Sequence, residues 1–248
     1  MSKVIALSNH KGGVSKTTST ANIGAALNIL KKKVLLIDLD PQANLSQNFG
    51  FTDQEKNVYT AMKGKDSFEP VEIKKGFHIV PSVLDLSGVE IELAMEAGNQ
   101  YILKELIDEV SEQYDYVLID CPPSLGLLTI NAFTAANEII IPLQAEYFAL
   151  QGLAKMIDVI DKVKKRLNKE LKIGGVLITQ YSHRKVLNRE VVDAAEDYFG
   201  SIVFKTKIRD NISLAEAPAH KMDIFNHNPY SHGATDYMAL SKEILKNK

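Results

Sequence analysis

Residues 9–18 read Asn9-His10-Lys11-Gly12-Gly13-Val14-Ser15-Lys16-Thr17-Thr18. A short apolar run, Val4 to Ser8, precedes them, and a helical pattern from Thr17 to about Lys32 follows, with Ala21, Ala25 and Leu27 on its packing side. Strand, glycine-rich turn, Lys-Thr and helix, in that order, make a phosphate-binding loop. Backbone amides of the turn and of the helix start point at phosphate oxygens. Gly12, Gly13, Val14, Ser15, Lys16, Thr17 and Thr18 form the expected cradle. Lys16 is placed between the β- and γ-phosphates, and the Thr17 hydroxyl ligates Mg²⁺. The common spacing G-x-x-x-x-G-K-[ST] is not met, because its glycines fall on His10 and Ser15. Serine at a left-handed position costs about 1 kcal/mol. Lys11 is an additional cation inside the turn. One lysine neutralises the phosphates of its own subunit, so a second one suits a nucleotide held by a facing subunit.

Outward from this loop, short Val/Ile/Leu runs alternate with helical patterns. Strands are expected at Val34–Ile37, Phe77–Val80, Tyr116–Ile119, Glu138–Ile141 ending at Pro142, Gly175–Thr179 and Ile202–Phe204. Helices are expected at Asp85–Glu96, Gln100–Glu112, Ser124–Ala136, Leu150–Leu167, Arg189–Phe199 and Ala234–Leu245. Continuous apolar strands between helices indicate an α/β fold, a doubly wound, mostly parallel sheet flanked by helices. Ligands of such sheets sit at the carboxyl ends of the strands. The mixed-charge stretch Phe51 to Gly76 reads as a peripheral excursion, so one domain over 1–248 is expected.

Two strand ends carry acids. Asp38-Leu39-Asp40 follows Val34–Ile37, with the two carboxylates facing alternately. Asp120 ends Tyr116-Val117-Leu118-Ile119, the apolar-then-acid pattern of a residue holding Mg²⁺ through water. Either motif alone, the Asp38/Asp40 pair or the single Asp120, is a weak signal; beside a phosphate loop both read as site residues.

Composition bounds the rest. The 248 residues carry a formal charge of −2, from 29 Lys+Arg and 31 Asp+Glu. That balance gives no whole-chain sign of nucleic-acid binding, and 45% hydrophobic with 24% charged residues is a globular composition, against a disordered, collagenous or coiled-coil chain. One cysteine, Cys121, excludes an internal disulfide or a multi-cysteine zinc site, and reads as a buried filler in a reducing compartment. No apolar run reaches the ~18 residues of a membrane span, so a cytoplasmic protein is expected.

The loop K-G-G-x-x-K-[ST] resembles the deviant Walker A family, which includes ParA and Soj partition ATPases, MinD and the nitrogenase iron protein. The segments Asp120-Cys-Pro-Pro-Ser-Leu-Gly-Leu-Leu-Thr-Ile-Asn131, Pro142-Leu-Gln-Ala-Glu-Tyr-Phe-Ala-Leu-Gln-Gly152, Ser213-Leu-Ala-Glu-Ala-Pro-Ala219 and Pro229-Tyr-Ser-His-Gly-Ala-Thr-Asp-Tyr237 are similar to the ParA/Soj branch. The resemblance implies ATP and Mg²⁺ as cofactors and weak ATPase activity. Lys11 reaches the partner's ATP in a homodimer, Asp40 positions the attacking water, and Asp38 lies in the metal neighbourhood. The segment after Asp120 senses the γ-phosphate, and Asn211 and Arg209 contact adenine, although most members have proline where this chain has Arg209. The iron protein is excluded, since its cluster needs two cysteines per subunit. The resemblance further implies non-specific DNA, nucleoid association and a ParB-like partner. No N-terminal helix-turn-helix extension is expected.

Charge by segment supports a DNA face. Residues 151–220 hold 13 Lys/Arg and 9 Asp/Glu. Lys162, Lys165 and Arg166 crowd one helix end, and Arg184, Lys185 and Arg189 follow. Lysines also favour helix C-termini without any ligand. Ser213 stands where many Soj-like chains carry a DNA-contacting arginine. Two alternatives remain: a MinD-like membrane-positioning ATPase, opposed by the mixed charge of the last helix, and an ATP-dependent scaffold placing a protein cargo on the nucleoid.

Overall fold

The computed structural model describes residues 2–52, 54–146 and 152–246. Seven strands form one sheet: β1 (Lys3–Leu7), β2 (Val34–Asp38), β3 (Val71–Lys74), β4 (Phe77–Val80), β5 (Tyr116–Asp120), β6 (Glu138–Gln144) and β7 (Lys172–Thr179). Their order is β3-β4-β2-β5-β1-β6-β7. All pairs are parallel except β3 with β4 at one edge. The inner strands β2 and β5 are buried along their whole length, as continuous apolar runs require when both faces are covered.

The helices are α1 (Lys16–Ile29), α2 (Asn44–Asn48), α3 (Val58–Met62), α4 (Val89–Glu92), α5 (Ile102–Val110), α6 (Leu127–Ala135), α7 (Leu153–Arg166), α8 (Val186–Phe199), α9 (Ile212–Glu216), α10 (Ile224–His227) and α11 (His232–Lys246). One face of the sheet packs on α3, α5, α6, α7 and α8. The other packs on α1 and α11. Helix α1 is almost entirely buried because its residues are small. A Cβ at Gly24 would press on Leu36 at 2.7 Å and Phe77 at 3.0 Å, so glycine sets how closely α1 approaches the sheet. Ser19 Oγ and Tyr237 OH, 3.0 Å apart, tie α1 to α11.

Several expected boundaries move. Strand β6 does not stop at Pro142 but runs to Gln144. The Pro142 carbonyl accepts from Asn9 Nδ2 at 2.7 Å, so this residue's polar groups face the side where β1 has already ended. The donor that proline lacks would have had no ladder partner there. Ile202–Phe204 is not a strand; it makes one isolated bridge, Val176 with Val203. Asp85–Glu96 is not one helix but a 3-10 turn, Leu84–Gly88, leading into the four-residue α4. The Phe51–Gly76 excursion contains α3 and the edge strand β3. The helix expected from Leu150 is described from Leu153, and residues 147–151 lie outside the described residues.

Candidate nucleotide site

The carboxyl ends of β1, β2 and β5 lie side by side, with Leu7 and Asp38 both in register with Asp120. This register brings the phosphate loop and both acidic motifs to one edge. There a cavity of about 900 Å³ is lined by Gly12, Gly13, Ser15, Lys16, Thr17, Thr18, Asp40, Arg209 and Asn211, among others.

The loop is held from three sides. Asn9 Oδ1 accepts from Lys11 N at 3.0 Å. Thr179 Oγ1 donates to Val14 O at 3.2 Å, and Gln180 Nε2 donates to Gly13 O at 2.8 Å. Ser15 adopts φ 67° and ψ 31°, the left-handed region that glycine enters freely. Gln180 Nε2 also reaches Ser15 Oγ at 3.3 Å, a weak compensation for that strain. Ser15→Gly is therefore expected to stabilise the chain by about 1 kcal/mol in chemical denaturation. An unchanged or lower stability would show that the Gln180 contact outweighs the strain.

Lys16 is buried, 8% exposed, and among the described residues its Nζ hydrogen-bonds only the Lys11 carbonyl, at 3.4 Å. Thr17 Oγ1 donates to Asp120 Oδ2 at 2.6 Å, and Thr20 Oγ1 approaches Asp120 Oδ1 at 3.4 Å. Asp38 has both oxygens engaged: Oδ1 accepts from Asp40 N at 3.2 Å, and Oδ2 from Ser46 N and Oγ at 2.8 and 2.7 Å. Asp38 thus lies behind the cavity wall and pins the turn that presents Asp40. Asp40 faces the cavity and accepts from Gln42 N at 3.0 Å.

Asp40, beside the buried Asp38 and Asp120, raises the cost of ionising both, and Asp38 does the same to Asp120. Burial pushes the Asp38 carboxyl up to about 6, against the hydrogen bonds from Ser46. Burial, and then the Asp38 charge, push Asp120 up to about 8. A hard cation would relieve this repulsion, and Thr17 Oγ1 with Asp120 supplies the oxygen donors it prefers. Among the described residues no group of three or more His, Cys, Asp or Glu side chains could hold a metal by itself. The fit is therefore to Mg²⁺ completed by phosphate oxygens and water. A raised folded-state pKa gives stability that is present at low pH and lost as pH rises through it. The nucleotide-free protein is accordingly expected to lose stability between about pH 4 and pH 8. Asp120→Asn should flatten this slope in thermal unfolding scans; a slope equal to the parent's would refute the assignment.

Lys11 turns away from the cavity. Its Nζ pairs with Glu146 Oε2 at 2.9 Å in the same subunit, and both side chains are partly exposed. Arg209 lines the cavity, but its guanidinium is tied to Asp236 by contacts of 2.6, 2.9 and 3.2 Å. Asn211 Oδ1 accepts from Ser213 N at 2.9 Å and caps α9, which leaves Nδ2 to face a ligand. Gln180, Glu146 and Asp236 are site residues that sequence reasoning missed. Each acts through a partner distant in the chain, and no local pattern marks it.

The basic residues are not one cluster. Lys165 and Arg166 end α7 near Asn168, which donates to Ala136 O at the amino end of β6. Lys162 on the same helix pairs with Asp158 at 2.6 Å. Arg184, Lys185 and Arg189 sit at the carboxyl end, where Asn188 donates to Ala145 O. The 8 residues of β7 separate the two groups, roughly 26 Å at the strand rise.

A strand-loop-helix phosphate cradle at the switch point of a parallel sheet, with a carboxylate beside its threonine, defines a P-loop nucleotide-binding protein. A family model described as an AAA domain matches residues 2–173. The chain is 42% identical to the sporulation initiation inhibitor protein Soj of Bacillus subtilis (strain 168), covering 100% of both chains. It is 43% identical to the chromosome-partitioning ATPase Soj of Treponema pallidum (strain Nichols), covering 99% of this chain and 98% of that one. A solved structure described as cobyrinic acid a,c-diamide synthase from Mycobacterium smegmatis, with bound ADP and magnesium, superposes with a TM-score of 0.88 at 34% identity. That match covers 99% of this chain and 95% of the other. The chain belongs to the AAA domain family and, within it, to the ParA/Soj branch. Among the described residues no helix is long and apolar enough to cross a membrane.

Proposed function

We propose that this chain is an ATP-dependent partition ATPase, acting in chromosome or plasmid segregation. The observation that carries the reading is the disposition of its two loop lysines: Lys16 lies buried in the cradle, whereas Lys11 is held outside it on an exposed carboxylate. An exposed pair of this kind contributes ~0–1 kcal/mol, so Lys11 is readily released to another subunit's phosphates. ATP with Mg²⁺ brings two subunits face to face, and Lys11 crosses between them. The cation, when bound, neutralises the phosphates and orients the γ-phosphoryl group. Asp40 orients the attacking water, and Asn211 and Arg209 flank the base. Slow hydrolysis, stimulated by a ParB-like partner, opens the dimer.

The closed dimer binds DNA without sequence preference and so resides on the nucleoid. Its basic residues are doubled only when two subunits are held together, which lets nucleotide set DNA affinity. The test is DNA binding with ATP, ADP and no nucleotide across a salt series, for the parent and Lys11→Ala. ATP should strengthen parent binding by tenfold or more, with a steep salt dependence. Lys11→Ala should still bind ATP but show neither the ATP effect nor dimerisation. Equal dimerisation of the two proteins would overturn the reading.

A second reading, ATP-dependent amide formation, follows only from the description of the Mycobacterium smegmatis structure. Release of ammonia from glutamine needs a reactive thiolate. Cys121 is fully buried, and burial followed by the Asp120 charge pushes its thiol far above the thiolate range. Partition is the reading that the full-length relatives support.

A further inference from the structure

Residues 84–113 hold eight Asp or Glu and a single Lys. This is where the acidity that offsets residues 151–220 resides. The segment begins as a ridge along the 3-10 turn Leu84–Gly88 and α4. Its inner side, Leu86, Val89 and Leu93, is buried in the core. Its outer side is not polar: Leu84 is 68% exposed, Ile91 83% and Met95 96%. Leu84, Ile91 and Met95 follow one another along the solvent side of this ridge. Asp85, Glu92 and Glu96, each the next residue along, form a parallel exposed acidic row. Glu92 is paired with Lys63 at 2.5 Å, whereas among the described residues Asp85 and Glu96 have no ion-pair partner. Beside Leu84 opens a cavity of about 300 Å³, walled by Pro41, Phe51, Val83 and Leu84 and sharing Gln42 and Gln47 with the lining of the nucleotide site. Ser82 Oγ, in its lining, is buried without a hydrogen-bond partner.

An exposed apolar row is not left on a soluble surface without consequence, and an acidic flank chooses its partner's charge. We infer that this ridge is the docking surface for a cationic amphipathic segment of a partner protein, one apolar side chain of which enters the cavity beside Leu84. A second copy of this chain is disfavoured as occupant, since the same acidic row would face itself. DNA is disfavoured for the same reason.

The test uses the full chain without nucleotide, so its outcome does not depend on the ATPase reading. The probe is a synthetic helical peptide of about 14 residues, with leucines at the ridge's spacing and lysines flanking them. A control peptide carries glutamates in place of the lysines. Binding is followed by fluorescence anisotropy and by the ¹³C-methyl resonance of Met95. The lysine peptide should bind and shift that resonance, and high salt should weaken it. The control should bind at least tenfold more weakly. Ile91→Ser with Met95→Ser should abolish binding to the lysine peptide; both side chains lie outside the core, so unfolding does not confound the result. Equal binding of the two peptides, a Met95 resonance that does not move, or undiminished binding by the double variant would overturn the inference. So would self-association of the parent chain without nucleotide that the double variant removes.

Discussion

Lys16→Ala is expected to abolish nucleotide binding at micromolar concentrations. The Lys16 ammonium is buried at the centre of the cradle, where among the described residues its Nζ has one hydrogen-bond acceptor, the Lys11 carbonyl at 3.4 Å. It is an under-used donor waiting for an anion. A hydrogen bond to a charged group contributes ~1.5–3 kcal/mol, and Lys16 between two phosphates makes at least two. Their loss corresponds to roughly 10²- to 10⁴-fold in Kd. Titration calorimetry with ADP and Mg²⁺ measures it directly. The folded state should survive, because among the described residues Lys16 makes no ion pair. Affinity retained within about threefold would mean that the amides of Gly12 to Thr18 suffice and that the lysine does not bridge phosphates.

Asp40→Ala is expected to leave ATP binding intact and to lower hydrolysis by about 10²–10⁴-fold, the usual contribution of a positioned proton acceptor. ATP-bound dimers should then accumulate, visible as a stable shift in size-exclusion chromatography with ATP but not with ADP. The structure makes this variant clean. Among the described residues the Asp40 carboxylate accepts only from Gln42 N, two residues away. Asp38→Ala would be far less informative, since it frees Ser46 N and Oγ and loosens the whole turn. Phosphate release at the parental rate from Asp40→Ala would remove it from the chemistry.

The contrast between these two aspartates marks what the sequence makes legible. Both end the same apolar run, and spacing alone says that they face differently. Which one reaches the ligand depends on Ser46, whose hydrogen bonds to Asp38 arise from the fold of Asn44–Asn48. The inner strands were readable because burial on both faces leaves them uniformly apolar. The edge strand β3 was not, because Val71-Glu72-Ile73-Lys74 is half solvated and flanked by charge. The loop Lys11–Thr18 was readable as a local pattern. The groups that brace it, Gln180 and Glu146, meet it from other strands. The basic residues are close in sequence and were taken together, yet β7 runs between them.

That separation has a consequence for the geometry of any DNA complex. A duplex laid against the strand-end rim follows Arg184, Lys185 and Arg189 and passes out of reach of Lys165 and Arg166. A duplex at the opposite pole does the reverse. Under the DNA binding proposed above, one subunit would act as a two-ended connector rather than a saddle. Two such subunits joined at their nucleotide edges place one basic trio near the seam and the other at the extremities of the particle. A pair bound in the proposed way would bridge separate strands of a folded chromosome as readily as it would sit on one.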